Sequence, residues 1–172
     1  MKWAITGTPG TGKTTAASRI RLDMPVIHLN ELIDTNDFVI GHDRERNTTI
    51  ADLNGLRAWT EVQPEEVIIE SHLAHLLPVE RVIVLRCHPD TLRDRLMTRN
   101  QQAASPTTIE ENIHSEQLDI ILAEAVAEHG ENNVFEIDTT GKGPDDVTLE
   151  IEDAIEGRRE PSVGTVSYLK DS

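Results

Sequence analysis

Eight residues near the start of the chain, Gly7-Thr8-Pro9-Gly10-Thr11-Gly12-Lys13-Thr14, fit the spacing GxxxxGK[ST] in full. Each residue type has a chemical reason to stand where it does. Glycines let the backbone turn so that successive N–H groups point inward, forming a nest for an anion. Lys13 can then reach β- and γ-phosphates, and the Thr14 hydroxyl can ligate Mg2+. Thr15 follows with a hydroxyl suited to donate to the α-phosphate. Residues 2–6 read as a strand and residues 13–22 as a helix, so the loop lies where phosphate binding needs it.

A second anchor is the carboxylate that closes the run Val67-Ile68-Ile69-Glu70. This has the form of a Walker B strand, whose acidic residue holds the metal through water. Glu70 has a longer reach than the usual Asp. His72 follows two residues on, on the same face if the strand continues. His72 and His75 are three apart, but no third ligand follows at a recognisable spacing, so no zinc site is expected. Arginines are the third clue: Arg86, Arg93, Arg95 and Arg99 run toward a polar segment. Phosphoryl transfer is mostly positioning and charge neutralisation, which arginines at the edge of a lid supply. Arg99 is the expected functional one, with Arg93 and Arg95 solvated or supporting.

These groups need a frame, and the rest of the chain spells one out. Val26-Ile27, Val67-Ile68-Ile69, Val82-Ile83-Val84-Leu85 and Val134-Phe135-Glu136-Ile137 join residues 2–6 as five strands. Continuous aliphatic runs mark strands buried on both faces of a parallel sheet. Helices are expected over residues 89–99, 108–129 and 144–155. The longest of them has Ile109, Ile113, Ile120, Ile121, Leu122 and Val126 as its apolar stripe and Gly130 as its stop. Alternation of this kind predicts a doubly wound, three-layer α/β fold with a five-stranded parallel sheet. Residues 30–49 and 100–108 are polar and fit no sheet, and such insertions are usually lids or mobile connections. Residues 158–172, with Pro161 and Gly164, read as a flexible tail.

Composition sets the bounds. The 172 residues suit one domain, with about 68–70% of the extended surface buried on folding. Aromatics are 3%, so the core must be Val, Ile, Leu and Ala. The single cysteine, Cys87, excludes an internal disulfide and a multi-cysteine zinc site. No aliphatic run approaches the roughly 20 residues needed to span a bilayer, and Met1-Lys2-Trp3 does not open a secretory signal. A soluble, cytoplasmic protein without membrane contact is expected. Its net charge is −15 and its pI about 4.7, so a polyanionic ligand needs a locally positive pocket. Lys2, Lys13, Lys142 and Lys170 are the only lysines; the other twelve basic residues are arginine. High acidity with scarce lysine is expected of a salt-loving organism, whose salt screens the self-repulsion.

The loop Gly7–Thr15, Ile69-Glu70-Ser71-His72 and the stretch from Val84-Leu85-Arg86-Cys87-His88-Pro89-Asp90 to Thr98-Arg99 together resemble the atypical adenylate kinases of the CINAP type (adenylate kinase isoenzyme 6). Glu111-Asn112-Ile113 and Glu124-Ala125 fit the same pattern, and the resemblance spans about residues 3–155. It implies a nucleoside-monophosphate-kinase fold and Mg2+-dependent transfer from ATP to AMP, with ATPase activity. It further implies a role in small ribosomal subunit maturation through a ribosomal protein of the uS11 type, with pre-ribosomal RNA met only through the ribosome. On matching positions, Gly10, Gly12, Lys13, Thr14 and Thr15 would hold ATP phosphates, Thr14 and Glu70 the metal, and Arg99 the nucleotide from the lid side. His72 corresponds to a histidine tied to catalysis or its coupling to motion. The kinase domain would be residues 1–157, with a monophosphate-binding flap at about 28–51, a short lid at about 98–108 and the tail at 158–172. The family often has Asp in place of Glu70, and its lid commonly reads Arg-Gly-Tyr where this chain has Arg99-Asn100-Gln101. Arg44 and Arg46 are the arginines available in the flap.

Two other readings share the motif: an ATP-hydrolysing ribosome-assembly factor, and a kinase of the same fold for another small acceptor. A GTPase is disfavoured because Lys142 lacks the Asn or Thr of an [NT]KxD motif, and an ATP-binding cassette by size and the missing signature sequence.

Overall fold

Strand and helix alternate along the chain as β1 (Lys2–Thr6), α1 (Lys13–Ala17), β2 (Val26–His28), α2 (Leu29–Thr35), β3 (Val39–Asp43), β4 (Thr48–Ala51), α3 (Leu53–Glu61), β5 (Val67–Glu70), β6 (Arg81–Arg86), α4 (Pro89–Arg99), α5 (Pro106–Gln117), α6 (Ile120–His129), β7 (Val134–Asp138) and α7 (Pro144–Ile155). This computed structural model describes residues 1–35, 38–44, 48–99 and 106–169. Among them, five strands form a parallel sheet in the order β2-β5-β1-β6-β7.

The aliphatic runs explain the layering. In a strand, successive side chains face opposite ways. Ala4 of β1, Ile69 of β5 and Val82 and Val84 of β6 pack on one face with Leu29, Leu56, Leu122 and Ala125. Trp3, Ile5, Ile68, Ile83 and Leu85 pack on the other with Ala16, Ala17, Val147 and Ile151. Each fully buried Leu or Ile contributes about 1.5–3 kcal/mol. Both faces are covered, which gives the three layers and the five-stranded parallel sheet. The chain goes from β1 to β2 and β5 on one side, then to β6 and β7 on the other, and ligands bind at the carboxyl edge where strand order reverses. Among the described residues, no helix is long and apolar enough to cross a membrane.

Local structure departs from the sequence reading in four places. First, α1 stops at Ala17 rather than running to residue 22. Ser18 Oγ donates back to Thr14 O at 2.7 Å, and the N–H groups of Arg19 and Ile20 bond three residues back, tightening the chain out of the helix. Second, the single helix expected over 108–129 is two, α5 and α6, broken at Asp119, whose φ is +53°. The Asp119 carboxylate turns in to accept from Arg86 Nη2, and the helix gives way. Third, the stretch 30–49 is not plain loop: it carries α2 and the antiparallel pair β3–β4.

The fourth departure is the C-terminal segment, which over residues 158–169 is not a loose tail. Ser162 pairs alongside β7, donating to Val134 O at 3.1 Å and accepting from Glu136 N at 2.8 Å. Thr165 N and Oγ1 both donate to Glu136 Oε2, at 2.7 and 2.8 Å, and Tyr168 OH donates to Asp138 Oδ1 at 3.0 Å. Order here comes from a buried acceptor on β7, which outweighs the turn-forming Pro161 and Gly164.

Arg86 is the hub of this region. It is 1% exposed and donates to Glu116 Oε1 at 2.8 Å, to Glu136 Oε1 at 2.6 Å and to Asp119. Replacing it by Leu strands these carboxylates without a counter-charge. Arg86→Leu is expected to lower the unfolding free energy by about 3–5 kcal/mol, read from urea denaturation; a loss below about 1 kcal/mol would show that the carboxylates do not depend on it.

Candidate active site

The loop after β1 is built by steric demand. Gly7 has φ +139°, and a Cβ placed there would lie 2.4 Å from the carbonyl oxygen of Leu85. At Gly10, φ +95°, a Cβ would press on Leu92 Cδ1 at 2.9 Å, so the loop rests directly on α4. Thr11 pins the turn, donating to Thr8 O from both N (3.2 Å) and Oγ1 (2.9 Å). Thr8 Oγ1 donates to Glu116 Oε2 at 2.5 Å, tying the loop to α5. The Lys13 side chain folds over this turn, its Nζ donating to Gly7 O at 2.7 Å and Thr8 O at 3.0 Å. The ammonium therefore sits at the mouth of the turn, a local positive charge in an acidic chain.

Glu70 ends β5 beside Ile5 of β1 and is 3% exposed. Both its oxygens lie 3.2 Å from Thr14 Oγ1 on α1. His28, its register partner on β2, donates from Nδ1 to Oε2 at 2.8 Å. A hydroxyl and a carboxylate converging beside a phosphate-sized turn are hard oxygen donors of the kind Mg2+ takes, with water completing the shell. The donor set fits that ion.

Below the loop lies a histidine cluster. His75 is 1% exposed; its Nε2 donates to Glu124 Oε2 at 2.9 Å, so its Nδ1 is the acceptor for Thr6 Oγ1, also at 2.9 Å. His129 Nε2 donates to His75 O at 2.6 Å. Burial, then the charge of Lys13, then His75 bring the pKa of His72 down to about 4. Burial also lowers that of His75, against the pull of Glu124.

The structure thus gathers Gly10, Gly12, Lys13, Thr14 and Glu70 at one edge of the sheet, with His72 close enough to feel Lys13. Thr15 lies exposed in the first turn of α1. Arg99 ends α4, and its side chain, like lid residues 100–105, lies outside the described residues; so do Arg46 and flap residues 36, 37, 45 and 47. Arg86, the first of the arginine run that ends at Arg99, is locked inside by carboxylates. Arg93 pairs with Glu110 at the surface, and Arg95 donates to Thr139 O at 3.1 Å. Sequence reasoning missed His28 and Glu116. His28 closes Val26-Ile27 as Glu70 closes Val67-Ile68-Ile69, and that parallel could have found it; Glu116 sits in a polar helix and carries no such signal.

A glycine turn with its lysine, at the carboxyl edge of a doubly wound parallel sheet, defines a P-loop α/β protein of kinase-like fold. Residues 4–119 match the family described as AAA domain. A protein of Natronomonas pharaonis named "Putative adenylate kinase" is 48% identical over 170 residues, 99% of each chain. Proteins of the same name from Halobacterium salinarum and Pyrococcus furiosus are 47% and 37% identical, covering 98% and 97% of this chain and 98% and 91% of theirs. A solved sugar kinase from Janibacter shares the fold, with a TM-score of 0.57 at 16% identity over 90% of this chain and 94% of that one. The chain belongs to the AAA domain family and to the group formed by these relatives.

Two outcomes follow from this geometry. Gly7→Ala forces a Cβ against backbone, whereas Gly12 has φ +93° but open space around it. Gly7→Ala is expected to lower the melting temperature well beyond Gly12→Ala, which bears only the left-handed strain of about 1–2 kcal/mol. The histidines set a pH dependence. Unfolded, His72 and His75 titrate near 6.5; folded, both are held lower, so the unfolded state binds protons first as pH falls. Their contribution leaves stability level above about pH 6.5 and erodes it from there down through pH 4. Urea midpoints in metal-free buffer at constant salt should show this slope, and His72→Gln should flatten it; an unchanged slope would remove His72 as its source.

Proposed function

We propose that the protein is an adenylate kinase, transferring the γ-phosphoryl group of ATP to AMP and yielding two ADP. The observation that carries this reading is the convergence of Lys13 with the Thr14–Glu70 oxygen pair on one glycine turn. The name shared by relatives that match nearly the whole chain supports it.

In this mechanism the inward N–H groups of the loop, with Gly10 and Gly12 making room, receive the donor phosphates, and Thr15 adds a hydroxyl at the α-phosphate. Lys13 exchanges the carbonyls of Gly7 and Thr8 for phosphate oxygens. Thr14 and Glu70 would hold Mg2+, which would supply charge neutralisation to the transferring phosphoryl group. His72 stays neutral at working pH, so it sits beside Lys13 without adding a competing cation. Arg99 reaches the nucleotide from the lid side. By the family resemblance, residues 28–51 would receive AMP and residues 98–108 would keep water from the transferring group. A lid this short leaves some transfer to water, which is the associated ATPase activity. The CINAP-type resemblance extends the reading to small-subunit maturation with a ribosomal protein of the uS11 type in the cytoplasm, and the acid-rich, lysine-poor surface to work at high salt.

The test is ADP formation from ATP and Mg2+ in molar KCl with AMP, CMP, GMP, UMP or no acceptor. AMP-selective turnover is expected, and Lys13→Ala should reduce it by at least about 100-fold. Acceptor-independent release of phosphate would make the protein an ATPase first, and turnover retained by Lys13→Ala would overturn the site.

A further inference from the structure

We propose that His28 is a positioning residue for the metal-binding carboxylate, holding Glu70 in line with Thr14; the inference rests on the kinase reading above. Parallel register creates the arrangement. His28 and Glu70 are the last residues of β2 and β5 and are register partners, so their side chains leave the sheet next to each other. A carboxylate only accepts, so the 2.8 Å contact fixes the hydrogen on His28 Nδ1 and with it the orientation of the ring. On the far side of the ring, Ser18 Oγ lies 3.5 Å from Nε2, and that hydroxyl donates to Thr14 O at 2.7 Å. The imidazole therefore bonds the Glu70 carboxylate on one side and lies against Ser18, at the end of α1, on the other. The Ser18 hydrogen is committed to Thr14 O, so the bond to Glu70 is the one that orients the ring.

The need for such a clamp follows from the grip on Glu70. Thr14 has one hydroxyl hydrogen for two carboxylate oxygens, each 3.2 Å away, at the long end of hydrogen-bond range. The bond from His28 is shorter than either. Glutamate also has one more rotatable bond than aspartate, hence more orientations to lose each time it engages a metal. Its side chain is 4% exposed against 22% for His28, so these protein partners, rather than water, set its orientation. Partners of this kind align a metal-holding group without touching the ion.

The test uses Mn2+ as the probe, in the presence of ADP and constant KCl, with binding followed by loss of the free-ion electron paramagnetic resonance signal beyond the loss in a matched protein-free solution of Mn2+ and ADP. His28→Leu keeps the bulk and removes the donor; His28→Asn restores an N–H at the δ position. His28→Leu is expected to weaken Mn2+ binding about tenfold and to raise the Mg2+ concentration for half-maximal ADP formation by a similar factor. His28→Asn is expected to keep both at the wild-type level. If His28→Leu does not fold, as judged by its melting curve, His28→Ala takes its place with the same expected loss. Mn2+ binding unchanged on removal of the donor, or a loss in His28→Asn as large as in His28→Leu, would overturn the role of His28 alone. Wild-type protein that takes up no Mn2+ with ADP would instead overturn the kinase site, and the clamp with it.

Discussion

The guanidinium of Arg86 carries an unusual load. Buried at the end of β6, it serves carboxylates from α5, β7 and the turn between α5 and α6: Glu116, Glu136 and Asp119. The Tyr168 ring centroid lies 5.3 Å from its Cζ. Burial by itself works against the charge, but Glu116 and Asp119 more than offset it and raise the pKa of the arginine above its ordinary value. Removing water from such a cluster is costly, and only good geometry on every donor compensates. The geometry is good because the two most buried of these carboxylates have further donors: Glu116 accepts from Thr8 Oγ1 and Cys87 N, and Glu136 from Thr165 and Val166. One buried cation thereby links the glycine turn, the sheet, the helix break and the C-terminal segment.

That linkage explains which parts of the molecule were legible in the sequence. The glycine turn was readable because its constraints are short-range, one steric or chemical demand per residue. The five strands were readable because strands buried on both faces need unbroken aliphatic runs. Asp119 was not readable. Leu118 and Ile120 continue the apolar pattern across it, and the partner that breaks the helix, Arg86, lies 33 residues earlier. Residues 162–168 have the composition of a tail, and their order depends on Glu136, a charged residue in a strand that otherwise reads as Val, Phe and Ile. Arg86 itself read only as the arginine that closes a strand and heads a run toward Arg99; the three-dimensional placement of its carboxylates reveals a structural ion.

The candidate site divides the same way. Lys13, Thr14 and Glu70 were visible as motif residues, each at the end of an element whose type was clear. His28 carried one signal, its place at a strand end like that of Glu70, and the register of β2 against β5 is what turns that place into a contact. The β3–β4 pair escaped because Val39, Ile40 and Ile50 are substantially exposed and give no buried-strand signal.

The glycine turn is braced from both halves of the sheet, and this bears on how it can work. Thr14 meets Glu70 on the β5 side, and Thr8 meets Glu116 on the β6 side. Between these anchors, Thr8 O accepts from Thr11 N, Thr11 Oγ1 and Lys13 Nζ. Only the last of these three bonds must be given up when the lysine turns to an anion. Thr11 keeps the Thr8 carbonyl satisfied when Lys13 is drawn away, whereas the Gly7 carbonyl gives up its 2.7 Å bond to Nζ, so the cost of about 1–3 kcal/mol for a bared acceptor falls on one carbonyl rather than two. The turn is thus held in shape by groups other than the one that must move, which separates the stability of the loop from the freedom of its lysine.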